Sequence, residues 1–334
     1  MPRSTRPSFD PELAPALDGL PRFFTTLEPS AIGEFRAATA RERSSIEDVV
    51  AGRPVEVVDH TVPGYDGGEI TVSVVRRTDD AGSSAPRAGS ALDGGSTPGI
   101  YLLHGGGMVG GSRWAVVPML VGWVLEHGAV AASVDYRLAP EFPDPVPVED
   151  ALAGYEWFVA RAGELAFDPQ RVLVGGVSAG GGLAAGTILL ARDRGIAMPA
   201  AQLLMSPMLD DRNDSDSSRE LDGVGVWDRT SNETGWTALL GDRRGTDDVT
   251  IAAAPARAAD LAGVPPTYID VGSAEVFRDE VVAFATRIWA AGGSAELHVW
   301  PGGFHGFQGI VPSAAVSQAA VQARDAWVRR VLSA

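Results

Sequence analysis

Five short apolar runs, at 100–103, 129–134, 172–174, 201–205 and 266–271, alternate with stretches of helical period along the chain. Val148, Leu152, Tyr155 and Val159 fall on one helical face, as do Val316, Ala320, Ala323, Trp327 and Val331 near the carboxyl end. Strands joined through helices imply βαβ units, and hence an α/β fold with a mostly parallel central sheet flanked by helices. A further strand is expected at 295–300. Upstream, Val55 and Val57 and then Ile70, Val72 and Val74 alternate with polar residues around Pro63-Gly64-Tyr65-Asp66-Gly67-Gly68, which predicts a hairpin. The first fifty residues read as helical pieces broken by proline, and the Ser/Gly/Ala/Pro-rich stretch 78–99 as a mobile surface loop. At 334 residues the chain fits one large core with an accessory piece.

Two absences narrow the chemistry. The chain has no cysteine, and all 27 of its basic residues are arginine. Schiff bases, Ser-Lys dyads, phosphate-loop lysines, thiol nucleophiles, thiolate metal sites and disulfides are thereby excluded. Serine, histidine, carboxylates, arginine and backbone amides remain. The net charge, 27 − 43 = −16, argues against nucleic-acid partners, which need a basic face. No apolar run at the amino end is long enough for a signal peptide and none elsewhere for a membrane span, so a cytoplasmic protein is expected.

Gly176-Val177-Ser178-Ala179-Gly180 follows the apolar run 172–174 and precedes a small-residue helical stretch, the strand–turn–helix setting of a nucleophile elbow. Such a turn leaves little room beside the serine, and it presents Oγ at a helix amino end, where the dipole favours an anion. The run 100–103 leads into His104-Gly105-Gly106-Gly107, whose amides are free to point at a developing oxyanion. Of five histidines, His60 lies in the hairpin, His127 at a helix end, His298 in a strand and His104 in the glycine loop. His305 follows the strand 295–300, and catalytic groups of open α/β sheets gather at such carboxyl ends. The order Ser, acid, His places the acid after 266–271, where Asp270, Glu275, Asp279 and Glu280 are candidates. Asp270 falls inside the strand; Asp279 and Glu280 fall a turn into the next helix, where surface charge is their ordinary role.

The combination of His104-Gly105-Gly106-Gly107, Asp135-Tyr136-Arg137-Leu138-Ala139-Pro140-Glu141, Gly176 to Gly181 and Phe304-His305-Gly306-Phe307 resembles the hormone-sensitive-lipase-like (family IV) bacterial carboxylesterases. Leu209-Asp210-Asp211-Arg212 and Ala253-Ala254-Pro255-Ala256-Arg257 add a similarity to the heroin-esterase-like subgroup. The resemblance implies an α/β-hydrolase fold with Ser178 as nucleophile, His305 as base, and an oxyanion hole from the amides of Gly106, Gly107 and Ala179. The family's acid usually opens an Asp-Pro-Leu-Arg-Asp-Glu motif. Here Glu275-Val276-Phe277-Arg278-Asp279-Glu280 stands in its place, which favours Glu275 over Asp279. Val177 replaces the usual Asp before the nucleophile and should affect packing more than chemistry.

The same resemblance implies a helical cap from residues 1–54, a catalytic domain over 55–334 and a cap insertion at about 210–248. Phe23, Phe24, Phe35, Trp227 and Trp236 are candidate pocket walls. The insertion is acidic and turn-rich and is expected to be solvated; its aspartates lack the spacing of a calcium loop. The expected activity is hydrolysis of soluble, short- to medium-chain esters through an acyl-enzyme, with no cofactor or metal, a small-molecule ester as partner and a homodimer possible by family analogy. Lactone hydrolysis on the same residues, or a non-catalytic ligand-binding role, are the alternatives.

Overall fold

The structure, a computed structural model, describes residues 6–40, 44–78 and 96–333. Most of the loop expected at 78–99 therefore lies outside the described residues.

Among the described residues, eight strands form one sheet: β1 Val55–Pro63, β2 Glu69–Arg77, β3 Gly99–Leu103, β4 Val130–Asp135, β5 Val172–Val177, β6 Ala201–Met205, β7 Thr267–Gly272 and β8 Ala295–Trp300. Their order is β1-β2-β4-β3-β5-β6-β7-β8. The expected hairpin is present, with Val55 opposite Arg77 and Pro63 opposite Glu69. β2 also runs antiparallel to β4, and every pairing from β4 onward is parallel. Each expected strand is found, with ends shifted by up to three residues.

The helices, in chain order, are α1 Arg22–Thr25, α2 Ile32–Thr39, α3 Ser44–Val50, α4 Val117–His127, α5 Val146–Ala160, α6 Ala162–Leu165, α7 Ala179–Arg194, α8 Asp216–Glu220, α9 Arg229–Leu240, α10 Arg278–Ala290, α11 Phe307–Ile310 and α12 Ala315–Leu332. None of the described helices is long and apolar enough to cross a membrane. The strand period of two divides the core. Ile100 and Leu102 face α4 and α12 together with Leu173, Leu203 and Tyr268; Tyr101 and Leu103 face the α5, α7 and α10 side with Val174, Leu204 and Ile269. A strand buried on both faces must be apolar throughout, which is why β3 reads Gly-Ile-Tyr-Leu-Leu.

From β3 the chain first pairs on one side with β4 and then crosses to pair on the other with β5. Strand order reverses there, so the loops leaving β3 and β5 stand side by side at the carboxyl edge of the sheet, where open α/β folds bind ligands.

The 210–248 segment differs from expectation. It is solvated only in part: Asp214, Asp216, Asp222, Asp242, Asp247 and Asp248 are exposed, but Asp211, Asn213, Ser217, Asp228, Ser231, Asn232 and Trp236 are all buried. Its two buried acids, Asp211 and Asp228, are used by the protein. Arg257 Nε and Nη2 bond both oxygens of Asp211 at 2.6 and 2.9 Å, and Asp228 accepts Ser231 N at the start of α9. Residues 24–27 are stitched to this segment through Trp227 N to Phe24 O, Asp228 N to Thr25 O and Thr26 Oγ1 to Asp228 Oδ2. A second clasp holds α2 to the body. Arg36 donates to Val109 O, Ala139 O and both oxygens of Glu141, and that partner holds the Glu141 carboxyl down at about 2.

Candidate active site

β5 ends at Val177 and α7 begins at Ala179, so Ser178 alone turns the chain. It does so at φ 58° and ψ −122°, a conformation that L-residues adopt only under strain. A Cβ on Gly176 would lie 2.1 Å from Gly180 O, and one on Gly180 would lie 2.4 Å from the carbonyl oxygens of Leu103 and His104. Both glycines are thus steric requirements of the turn. The elbow is held from below as well: Ser178 N donates to Met205 O, while Ser178 O accepts from the amides of Gly181, Gly182 and Met208.

Opposite the elbow runs the loop leaving β3. Gly106 has φ 126° and Gly107 φ 60°. Among the described residues, neither of their amides nor that of Ala179 donates a backbone hydrogen bond outside a helix or strand. The first amides of a helix have no partner within it, so Ala179 N is available by position. His104 does not face the reaction space. Its ring stacks 4.2 Å from Tyr136, whose hydroxyl donates to His104 O, and burial pushes its basicity down, so the ring stays neutral and shapes the loop.

His305 Nε2 lies 2.9 Å from Ser178 Oγ, and His305 Nδ1 lies 3.0 Å from Glu275 Oε1. The other Glu275 oxygen accepts from Gly272 N at 2.8 Å and Ser206 Oγ at 3.1 Å, and the side chain is fully enclosed. The edge of Phe277 packs against the imidazole at 5.1 Å. A continuous relay therefore runs from hydroxyl to imidazole to carboxylate, able to take a proton from Oγ and hold the resulting imidazolium beside a fixed anion.

The remaining sequence candidates lie elsewhere. Asp279 accepts Ser217 N and pairs with Arg278, which docks α8 onto α10. Glu280 is not surface charge: it is buried, accepts the amides of Leu209 and Asp210, and burial raises its carboxyl well above the usual range. Asp270 is buried inside β7, as expected. His60 packs at a tilt against Trp157, and His298 is sandwiched by Tyr268 and Trp300.

A cavity of about 360 Å³ opens above Ser178 and the glycine loop. Phe24, Phe35 and Trp227 wall it, as expected; Phe23 packs beside Phe24 but does not line it, and Trp236 is wholly buried on α9. The Trp227 ring lies so close over Gly107 that a Cβ there would meet it at 1.9 Å. Val177 lines the cavity and packs against the α4 side of the core, in keeping with a packing role. Ser206 and Gly272 carry no motif, yet they orient Glu275. Their position just after β6 and at the end of β7, on the edge that holds the elbow, is the signal that could have found them.

Residues 100–309 match the model of a family described as the alpha/beta hydrolase fold. The chain is 31% identical over 320 residues to the carboxylesterase NlhH of Mycobacterium tuberculosis, with 94% of each chain covered. Its fold is similar to that of a bacterial heroin esterase, at a TM-score of 0.85 and 37% identity over 98% of this chain and 99% of the other. It is also similar to the esterase LipW of Mycobacterium marinum, at a TM-score of 0.78 and 29% identity over 98% and 99%.

Proposed function

Because this chain belongs to the α/β-hydrolase fold family, as a carboxylesterase of its hormone-sensitive-lipase-like branch, we propose that Ser178, His305 and Glu275 are its catalytic triad. The observation that carries this reading is the Ser178–His305–Glu275 relay, at 2.9 and 3.0 Å, whose Ser178 and His305 line one cavity with Gly106 and Gly107.

Ser178 Oγ attacks the ester carbonyl while its proton passes to His305 Nε2. The carbonyl oxygen becomes an oxyanion received by the amides of Gly106, Gly107 and Ala179, each such donor being worth roughly 10²–10³ in rate. The tetrahedral intermediate collapses, the C–O bond to the alcohol breaks, and His305 returns the proton to the leaving oxygen. Water, deprotonated by the same imidazole, then attacks the acyl-enzyme; the acid leaves and Ser178 Oγ is reprotonated. Glu275 keeps Nδ1 protonated and stabilises the imidazolium without accepting its proton. Every step uses only this chain's residues and water.

Residues 22–39 and the segment around Trp227 act as the cap, and the cavity they close favours short- to medium-chain acyl groups. The aromatic walls Phe24, Phe35 and Trp227 bound its volume. Replacing Ser178 by Ala tests the assignment. Turnover of p-nitrophenyl acetate and butyrate should fall by at least about 10⁴ while the fold is kept, and a fluorophosphonate should label the parent but not the variant. Unchanged turnover would remove Ser178 from the mechanism.

A further inference from the structure

The loop that leaves β3 is strained beyond its glycines. Gly106 lies at φ 126°, Gly107 at 60°, Met108 at 66° and Gly111 at 83°. Met108 is no glycine, and a side-chain-bearing residue keeps such a backbone only where its surroundings dictate it. Within the loop, Gly106 O accepts the amides of Val109 and Gly110 at 3.1 and 2.9 Å. That carbonyl is thereby turned inward, and in a trans peptide the N–H of Gly107 must point the opposite way, out of the turn. The direction of one proposed oxyanion donor is thus set by where Val109 and Gly110 lie.

Residues 109–111 are held by α2, on which Phe35, Arg36 and Thr39 occupy neighbouring positions at helical spacing. Arg36 Nε donates to Val109 O at 2.6 Å, and Thr39 Oγ1 accepts from Gly111 N at 3.2 Å. Phe35 closes on Gly110 so tightly that a Cβ there would meet its ring at 2.7 Å. A further hold on the loop, from Ala139 N to Met108 O at 3.0 Å, is itself tied to α2, because Arg36 Nη2 donates to Ala139 O at 2.7 Å. One guanidinium therefore spans the carbonyls of Val109 and Ala139, which a planar fork can do and a single ammonium cannot. The ion pair with Glu141 does not account for the side chain: the two partners are 30% and 55% exposed, where water screens the attraction. By engaging Nη1 and Nη2, Glu141 instead fixes the plane of the fork against the two carbonyls.

We propose that Arg36 is a positioning residue for the oxyanion hole, holding Val109 and Ala139 so that the Gly107 amide faces the substrate's carbonyl oxygen, with Thr39 as a second support. The helix that carries the cavity wall Phe35 thereby also sets the catalytic loop. This inference rests on the assignment of Gly106 and Gly107 as oxyanion donors.

Arg36→Met keeps an unbranched stem and removes the fork. With p-nitrophenyl acetate, kcat should fall by about tenfold to a hundredfold, less than for outright loss of a donor, while KM changes little. A trifluoromethyl ketone, whose adduct with Ser178 carries an oxyanion, should bind more weakly by the factor that kcat/KM loses. A residue that merely anchored the helix would move KM and the melting temperature and leave that affinity alone. Arg36→Lys keeps the charge but reaches one carbonyl at most, so it should stay well below the parent. Should Arg36→Met not fold, Thr39→Val keeps the shape and removes the acceptor for Gly111 N; kcat and ketone affinity should then fall together, by several-fold. A folded Arg36→Met enzyme, or in its place Thr39→Val, with the parent's kcat would overturn the proposal, as would a fully active Arg36→Lys enzyme or an unmoved ketone affinity. Failure of the oxyanion assignment looks different, because Gly106→Ala would then stay active too; failure of this proposal alone leaves Gly106→Ala impaired and Arg36→Met intact.

Discussion

His305 Nδ1 faces Glu275 Oε1 at 3.0 Å, and Glu275 cannot turn away, because Gly272 N and Ser206 Oγ hold its second oxygen. Glu275→Gln keeps the shape but presents an amide that can donate toward Nδ1, which favours the wrong imidazole tautomer. A fall in kcat of about 10³–10⁴ with KM within a few-fold is expected, by analogy with acid-to-amide changes in other serine hydrolase triads. Asp279→Ala should act on the fold instead: the acceptor for Ser217 N is lost, melting falls by a few degrees, and kcat stays within about twofold. Steady-state kinetics with thermal melts on both variants would show a reversed pattern if Asp279 were the acid.

Gly106 offers a separate handle on the proposed oxyanion hole. At φ 126° a side chain is strained, and its Cβ would sit 2.1 Å from Gly110 O, so Gly106→Ala must push the loop off its course. Loss of one aligned donor predicts at least about a hundredfold drop in kcat/KM. Fluorophosphonate labelling should be slowed in parallel. An active Gly106→Ala enzyme would place the oxyanion elsewhere.

The alternation of apolar runs located the strands because buried parallel strands have little freedom in composition, and the elbow was legible because its glycines answer a local steric demand. What escaped the sequence depended on distant partners. Glu280 looked like helix-surface charge, since nothing near it in sequence reveals that the amides of Leu209 and Asp210 need an acceptor. Trp227 and Trp236 are nine residues apart in the same acidic stretch, yet one walls the cavity and the other is core. That difference arises where α9 begins, at the Asp228 cap, which turns Trp236 inward beside Leu239 and Leu240. Ser206 was invisible because a lone serine after a strand has no pattern, although its hydroxyl donates to Glu275 Oε2.

Trp227 walls the cavity above Ser178. Its ring lies over Gly107, 5.9 Å from Phe35, and its backbone is held at φ 58° by the bond from Trp227 N to Phe24 O. Removing the ring in Trp227→Ala enlarges the cavity beside the nucleophile. Across p-nitrophenyl esters from acetate to decanoate, the optimum should move to longer chains by several carbons. The gain on the longer esters should be roughly tenfold, given about 0.8 kcal/mol for each methylene buried. Stability should fall by about 3–5 kcal/mol at most, as for other buried Trp→Ala changes. An unchanged chain-length profile would show that the ring does not bound the acyl group.

Asp270 gives a prediction in pH. Burial raises its carboxyl from 3.8 to about 6, against the lowering effects of Trp300 and Arg324. The native state therefore holds a proton that the unfolded chain has already released between about pH 4 and pH 6, so stability declines as pH rises through that window and stays reduced above it. The difference amounts to about 3 kcal/mol at neutral and alkaline pH. Asp270→Asn removes the titration while keeping an oxygen for Trp300 Nε1. Relative to the parent it should be more stable at pH 8, by an amount approaching that figure, and little different at pH 4. Urea unfolding at the two pH values measures both numbers. A variant that gains nothing at pH 8 would mean that the ionised carboxylate is compensated in the native fold, and that Arg324 does more for Asp270 than the geometry of its bonds to Asp325 suggests.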